Sequence, residues 1–327
     1  MPVVSSEEWT IPATAQPDPA ALAFALDPVL DAVVQLRAVV PAEAFTASNL
    51  GTERHGSAVI IGKGELALTV GYLINEAEQV WLTSRRGTVV PAHVLAYDFA
   101  TGFGLLRLFD DLGVQPLELG SSGPLEPGSD LLMVAAGGRA SALQTSLVAK
   151  REFAGYWEYL LEEALFTVPA HPHWGGAACI GPDGRLVGIG SLLIQAEMTA
   201  EKAVTGNMVV PIDVLQPILG ELSRSGRVDR PARPWLGLHL VEQRGLLTVI
   251  GVAPGGPAEK AGLEEGDVIA ALGEEPTEDL ADFYRQLWAL GPAGVTVPLT
   301  VVGDGEERLV EVASTDRELM LHMPRRH

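Results

Sequence analysis

Cysteine occurs once in this chain of 327 residues, at Cys179, which excludes an intrachain disulfide and a thiolate metal cage. A lone thiol on an apolar segment is expected to pack in a core rather than to react. Basic side chains are also scarce: 22 Lys and Arg against 42 Asp and Glu give a formal net charge of −20. A field of that sign repels a nucleic-acid backbone or an anionic membrane surface, so neither is expected as a partner. The densest basic stretch, Arg224, Arg227, Arg230 and Arg233, is broken up by Pro, Gly and Ser and reads as a solvated linker. No run of eighteen apolar residues is present, so no membrane span is expected. The opening MPVVSSEEWTIPATAQPDPA has neither the basic start nor the apolar centre of a secretory leader, and Glu7 and Glu8 argue against a mitochondrial presequence. The expected location is cytoplasmic, or periplasmic if a leader has been removed.

What is abundant points to a mainly β protein. Apolar residues make up 47% of the chain, and Gly 36 and Pro 23 supply many turns. A chain of this length exceeds what one hydrophobic core usually serves, so two domains are expected. Residues 1–20 read as a flexible tail. Asp27 as N-cap and Pro28 at the first helical position supply a helix start, and Val29, Leu30, Val33, Val34 and Leu36 predict a helix to about Arg37. From Ser57 the period becomes that of strands, with turns at Arg86-Gly87 and Asp183-Gly184. Many short strands at close spacing predict closed barrels. IDVLQPILGELSRSG predicts a closing helix interrupted at Pro217. The predicted division is a 21–223 domain, a 224–233 linker and a 234–322 domain. In the last, PAEKAG predicts a short helix, and TEDLADFYRQLWALG an amphipathic helix with Leu280, Phe283, Tyr284, Leu287 and Trp288 on one face. A hairpin closes across Gly303-Asp304-Gly305. Neither that GDG nor Gly62-Lys63-Gly64 meets the phosphate-loop pattern, and no cofactor is expected.

WLGL at 235–238, VAPGGPAEKAGLEEGDVI at 252–269 and the 279–290 helix resemble, in their order and spacing, the PDZ domain of the HtrA/Deg family of serine proteases. The resemblance implies that Trp235, Leu236, Gly237 and Leu238 receive the C-terminal carboxylate of a protein or peptide partner on backbone N–H groups. Gly237 would allow close approach and consecutive amides would form an anion nest. The peptide would extend the sheet and meet Phe283 and Leu287 in a groove beside the helix.

The preceding part, from about Thr52 to Gly226, resembles the trypsin-like domain of the same family. GSAVIIGKGELALT corresponds to the strands before the catalytic histidine, DFATGFGLLRL to the segment of the catalytic aspartate, and HPHWGGAACIGPDGRLVGI to the nucleophile loop. The implied fold is a trypsin-like double β-barrel followed by a PDZ domain. At the triad positions the residues depart from the family: Tyr72 stands for the base, Gly102 for the aspartate and Trp174 for the serine. A phenol near pKa ~10 does not accept a serine proton at neutral pH. Glycine orients no imidazole, and indole is no nucleophile. The first oxyanion donor falls on Pro172, which has no N–H, and the loss of one such donor costs about 3 kcal/mol of transition-state stabilisation. The expectation is therefore no catalytic residues and no enzyme: a pseudoprotease kept for peptide or protein binding, as a scaffold or regulator.

Two other classes remain open. One is a hydrolase with an unconventional nucleophile or metal. His171 and His173, with Asp98 or Glu53, would be the candidate zinc ligands, although ordinary loop histidines account for them. His93 and Asp98 lack a plausible serine. The other is a holding chaperone for misfolded chains. The family resemblance further implies a homo-oligomer, a trimer through the protease domains, to which Phe24, Phe45 and the 28–37 helix could contribute. EFAGYWEYLLEEALF is unusually aromatic and acidic for an exposed loop and fits either an interface or a core.

Overall fold

The computed structural model of the chain describes residues 10–199, 202–303 and 305–322. Residues 1–9 of the expected tail, and Asp304 of the expected turn, lie outside the described residues. The described chain forms two compact units, one of residues 10–151 and 163–228, the other of residues 152–162 and 229–322.

Short apolar runs punctuated by glycine turns build the first unit. Strands β1 (Val33–Val39), β2 (Glu53–Ile61), β3 (Leu66–Val70), β4 (Gln79–Thr83), β5 (Val89–Tyr97) and β6 (Phe103–Leu108) close a barrel in the order β1-β2-β3-β6-β5-β4. A second barrel is made by β7 (Asp130–Val134), β8 (Ala142–Gly155), β9 (Tyr159–Val168), β10 (Ala178–Ile180), β11 (Leu186–Thr199) and β12 (Lys202–Pro211), in the order β10-β11-β12-β9-β8-β7. Closure removes the exposed strand edges that open sheets must protect. Leu131, Met133, Leu143, Leu165 and Val209 pack the second barrel around Cys179. Burial pushes that thiol up to about 12, so it stays protonated and packs, as expected.

Three local expectations need correction. The helix predicted to run to about residue 37 is α1 (Leu26–Ala32), and Val33–Val39 is strand β1. Val34, Leu36 and Ala38 alternate inward with Gln35 and Arg37 outward, a period of two that also suits the β-branched Val33 and Val34. Asp27 lies in the first turn rather than at the N-cap, which is Ala25. Within the expected tail, Ile11 is buried in the second barrel's core. Phe24 packs over the Asp183-Gly184 turn: a Cβ at Gly184 would lie 2.6 Å from its ring. After the short α2 (Ala47–Leu50), the closing segment is a 3-10 turn over Ile212–Val214 and then α3 (Leu219–Ser225), with Pro217 between them.

In the second unit, β13 (Leu238–Gln243), β14 (Leu246–Val252), β15 (Val268–Leu272), β17 (Thr296–Gly303) and β18 (Glu306–Ala313) form one antiparallel sheet in that order, and β16 (Glu275–Pro276) pairs with β15. β13 is an edge. Helices α4 (Pro257–Lys260) and α5 (Leu280–Ala289) occupy the positions expected for them. Asp279 caps α5, its carboxylate accepting from the Asp282 N–H at 2.8 Å. Phe283, Tyr284 and Leu287 are fully buried with Leu236, Leu238, Val249 and Leu299. Each such large apolar side chain contributes about 1.5–3 kcal/mol by leaving water.

Candidate functional site

Strand β3 runs into a 3-10 turn over Gly71–Leu73, which delivers Tyr72 to a cavity of about 730 Å3. His55, Ser57, Pro172, His173, Trp174 and Gly175 also line it. Gly71 has no room for a side chain, since a Cβ would lie 1.9 Å from the Tyr97 ring. The Tyr72 hydroxyl donates to the Ser191 carbonyl at 2.8 Å. Burial, then the neighbouring Tyr97, raises its pKa, while a hydrogen bond with the Trp174 side chain pulls the other way. A phenol so held is a donor, not a base.

Gly102 has φ +82°, a backbone conformation that favours glycine. Its N–H donates to the Asp98 carbonyl at 2.7 Å and its carbonyl accepts from Gly71 at 2.8 Å. Tyr72, Pro172 and Trp174 line the cavity, while Gly102 lies behind it, bonded to Gly71 beside Tyr72. The glycines after Trp174 have a packing role. A Cβ at Gly176 would lie 1.9 Å from the Ser57 carbonyl, and one at Gly190 would lie 2.5 Å from that of Trp174. The Gly175 carbonyl accepts from Ser57 N–H at 2.9 Å.

The histidines divide by environment. His171 is fully buried; its Nδ1 accepts from the His173 N–H at 2.9 Å and its Nε2 meets the Ser141 carbonyl at 3.1 Å. An acceptor at Nδ1 assigns the proton to Nε2, and both ring nitrogens are then used. Burial lowers the pKa of His171 to about 4, against the pull of the Ser141 carbonyl. His55 pairs with Glu53 at 3.2 Å, and Glu53 with Arg37 at 2.6 Å. Asp98 accepts from the Thr101 N–H and hydroxyl at 3.0 and 2.7 Å. Among the described residues no group of three or more His, Cys, Asp or Glu is placed to hold a metal ion.

Two supports were not signalled by any motif. Asn207, fully buried, accepts from the His171 N–H at 2.6 Å. Glu76 accepts from the N–H groups of Phe45 and Thr46 at 2.9 and 2.7 Å. Beside it Arg54 donates to the carbonyls of Tyr72 and Asn75 at 2.7 and 3.0 Å. These groups fix the turn that carries Tyr72.

The second unit carries a different site. Gly237 has φ +79°, and the N–H groups of Leu236, Gly237 and Leu238 converge on one carboxylate. That carboxylate belongs to Glu158. Its Oε1 accepts from Gly237 at 2.7 Å, Leu238 at 3.0 Å and Leu236 at 3.2 Å, and its Oε2 from Leu236 at 3.1 Å. Burial raises the Glu158 pKa to about 7, against the pull of these amides and of Arg317. Trp235 does not donate to the cradle: its N–H and carbonyl pair with Thr315 at 3.0 and 3.1 Å. Phe283 and Leu287 lie in the core. The α5 side chains that bond the segment beside the groove are instead Tyr284 and Arg285. The groove is a cavity of about 470 Å3 lined by residues 152–157, 240–242 and 279–281. No motif signalled Glu158; its one mark in the sequence is a charge set inside the aromatic run Tyr156-Trp157-Glu158-Tyr159.

Comparison with known proteins matches residues 56–189 to a trypsin-like peptidase domain and residues 234–313 to a PDZ domain. The serine protease Do-like HtrA of Bacillus subtilis is 24% identical over 90% of this chain and 72% of its own length. A probable periplasmic serine endoprotease, DegP-like, of Pseudomonas fluorescens is 27% identical over 79% of this chain and 55% of its own. The HtrA-type protease AlgW, solved with a tripeptide, has the same fold, with a TM-score of 0.51 and 18% identity over 89% of this chain and 97% of its own. These relatives overturn the expectation that the chain is not an enzyme, because the proteins it is similar to are named serine proteases and endoproteases. The cytoplasmic expectation finds no support either, since one relative is named periplasmic. No helix among the described residues is long and apolar enough to cross a membrane. The chain thus carries a trypsin-like peptidase domain followed by a PDZ domain, and over most of its length it is similar to proteases of the HtrA family.

Proposed function

We propose that this chain captures peptide or protein C-termini through its PDZ unit and acts as a binding, scaffold or regulatory member of the HtrA family. The observation that carries this reading is the cradle at 236–238, where three successive amides hold a carboxylate at 2.7–3.2 Å. Charge-assisted bonds of this kind are about twice as strong as neutral ones, and an extended ligand would add main-chain bonds along the edge strand β13. AlgW, solved with a tripeptide, supports the reading by similarity. In the trypsin-like unit, the cavity with Tyr72 and Trp174 is a surface for holding a partner, and self-association of the chain belongs to the same proposal.

The test is binding of a hexapeptide with an apolar last residue to the full chain, once with a free carboxylate and once as its amide. The reading predicts at least tenfold tighter binding of the acid. Equal binding of acid and amide, to wild-type and to a chain with Glu158 replaced, would remove it.

Peptide capture is compatible with the enzyme class of the relatives, and their names favour a second reading, a peptidase. Cleavage would require a nucleophile and a base other than Trp174 and Tyr72. Fluorophosphonate labelling of a serine, with casein cleavage abolished by its alanine variant, would support it. No cleavage above a buffer control would exclude it.

A further inference from the structure

The aromatic and acidic stretch noted in the sequence has a definite place: residues 152–162 belong to the PDZ unit. Between the end of β8 at Gly155 and the start of β9 at Tyr159, the chain turns through Glu158, whose φ is +59°. Few side-chain-bearing residues adopt that conformation, and here it accompanies a buried carboxylate seated on the amides of Leu236, Gly237 and Leu238. Three further contacts match what a bound peptide would offer. The Tyr156 carbonyl accepts from the Leu240 N–H at 3.0 Å, a bond to edge strand β13 of the kind an added strand makes. Leu160 is buried with Leu236 and Leu238, as an apolar anchor side chain would be. The Tyr284 hydroxyl donates to the Gly155 carbonyl at 2.8 Å and accepts from the Glu158 N–H at 3.1 Å. Arg285 pairs with both Glu152 and Glu162.

We propose that residues 152–162 are the resident ligand of this PDZ unit, with Glu158 in the place of a peptide's terminal carboxylate. A peptide with a free carboxylate and an apolar last side chain therefore enters only by displacing the chain's own segment. This rests on the peptide-binding reading above. Buried carboxylates need donors, and this one takes the same three amides that the external ligand requires, so the two occupancies exclude each other. The measured affinity is then the intrinsic affinity multiplied by the fraction of time the cradle is open.

The test uses the full chain as wild type, Glu158→Gly and Arg285→Ala, with a fluorescein-labelled hexapeptide ending in leucine, as the free acid and as the amide. Glycine accepts the φ at position 158 and removes the competing carboxylate. Arg285→Ala loosens the segment without touching the cradle. The proposal predicts a dissociation constant for the acid at least tenfold lower in Glu158→Gly and a smaller decrease in Arg285→Ala. It also predicts that, without peptide, amide exchange at Leu236, Gly237 and Leu238 is at least tenfold faster in Glu158→Gly. Equal dissociation constants with unchanged exchange would overturn it while leaving peptide binding intact. Binding of the acid to neither chain would remove the peptide-binding reading and the competition together. If Glu158→Gly does not fold, Arg285→Ala decides, and an unchanged dissociation constant overturns the proposal.

Discussion

Glu158 carries the chemistry of the PDZ unit because its protonation and its seat are linked. Free in water its carboxyl titrates near 4.5; in the cradle it titrates at about 7, raised by burial. The seated form therefore binds a proton more tightly than the released form. Its stability is fully present below about pH 4.5 and is lost as pH rises through 7. The groups facing it do not reverse this sign. Arg317 and the three amides oppose the shift without cancelling it, and Tyr284 stays protonated. Between pH 5.5 and 8 the protection of the Leu236, Gly237 and Leu238 amides in the peptide-free chain should fall by about an order of magnitude in the wild type and stay flat in Glu158→Gln, as measured by hydrogen exchange relative to intrinsic rates. A flat wild-type profile would contradict the linkage. The positions of Tyr72 and Trp174 beside one cavity were legible in sequence, because a framework motif surrounds them. Glu158, Glu76 and Asn207 were not, because their partners are backbone amides and carbonyls brought near by the fold, which leave no pattern of residue types.

At the scale of elements, the turn bearing Tyr72 is braced by Arg54, whose guanidinium donates to the Tyr72 and Asn75 carbonyls under the influence of the buried Glu76. Burial disfavours the charge of Arg54, which is 4% exposed, and Glu76 offsets that. Glu76→Ala would orphan two amides in the 45–46 loop and leave Arg54 without its carboxylate. The expected cost is about 3 kcal/mol or more, visible as a lower urea midpoint for the first unit. A change within about 0.5 kcal/mol would show that the pair is incidental. Helices α4 and α5 and most strands were readable, because caps, glycine turns and a clear period coincide. The 26–39 stretch was misread because Val33, Val34 and Leu36 fit a helical face as well as a strand, and short apolar runs do not distinguish the two. Pairing with β2 and β4 makes Val33–Val39 a strand, after the helix of Leu26–Ala32.

For the whole molecule, the order of domains was legible and their composition was not. Residues 152–162 belong to the unit otherwise made of 229–322, and no local pattern announces that a segment joins a distant domain. The net charge of −20 adds a selection rule at this scale: polyanionic partners are repelled, and a ligand carboxylate must be rewarded locally, by the 236–238 amides and nearby Arg317. The most direct measurement is a crystal structure of the full chain with a leucine-ended hexapeptide. The account predicts the peptide's terminal carboxylate on the N–H groups of Leu236, Gly237 and Leu238, its backbone paired with β13, and the Glu158 side chain out of the cradle. A peptide bound elsewhere while Glu158 keeps its three amides would contradict it.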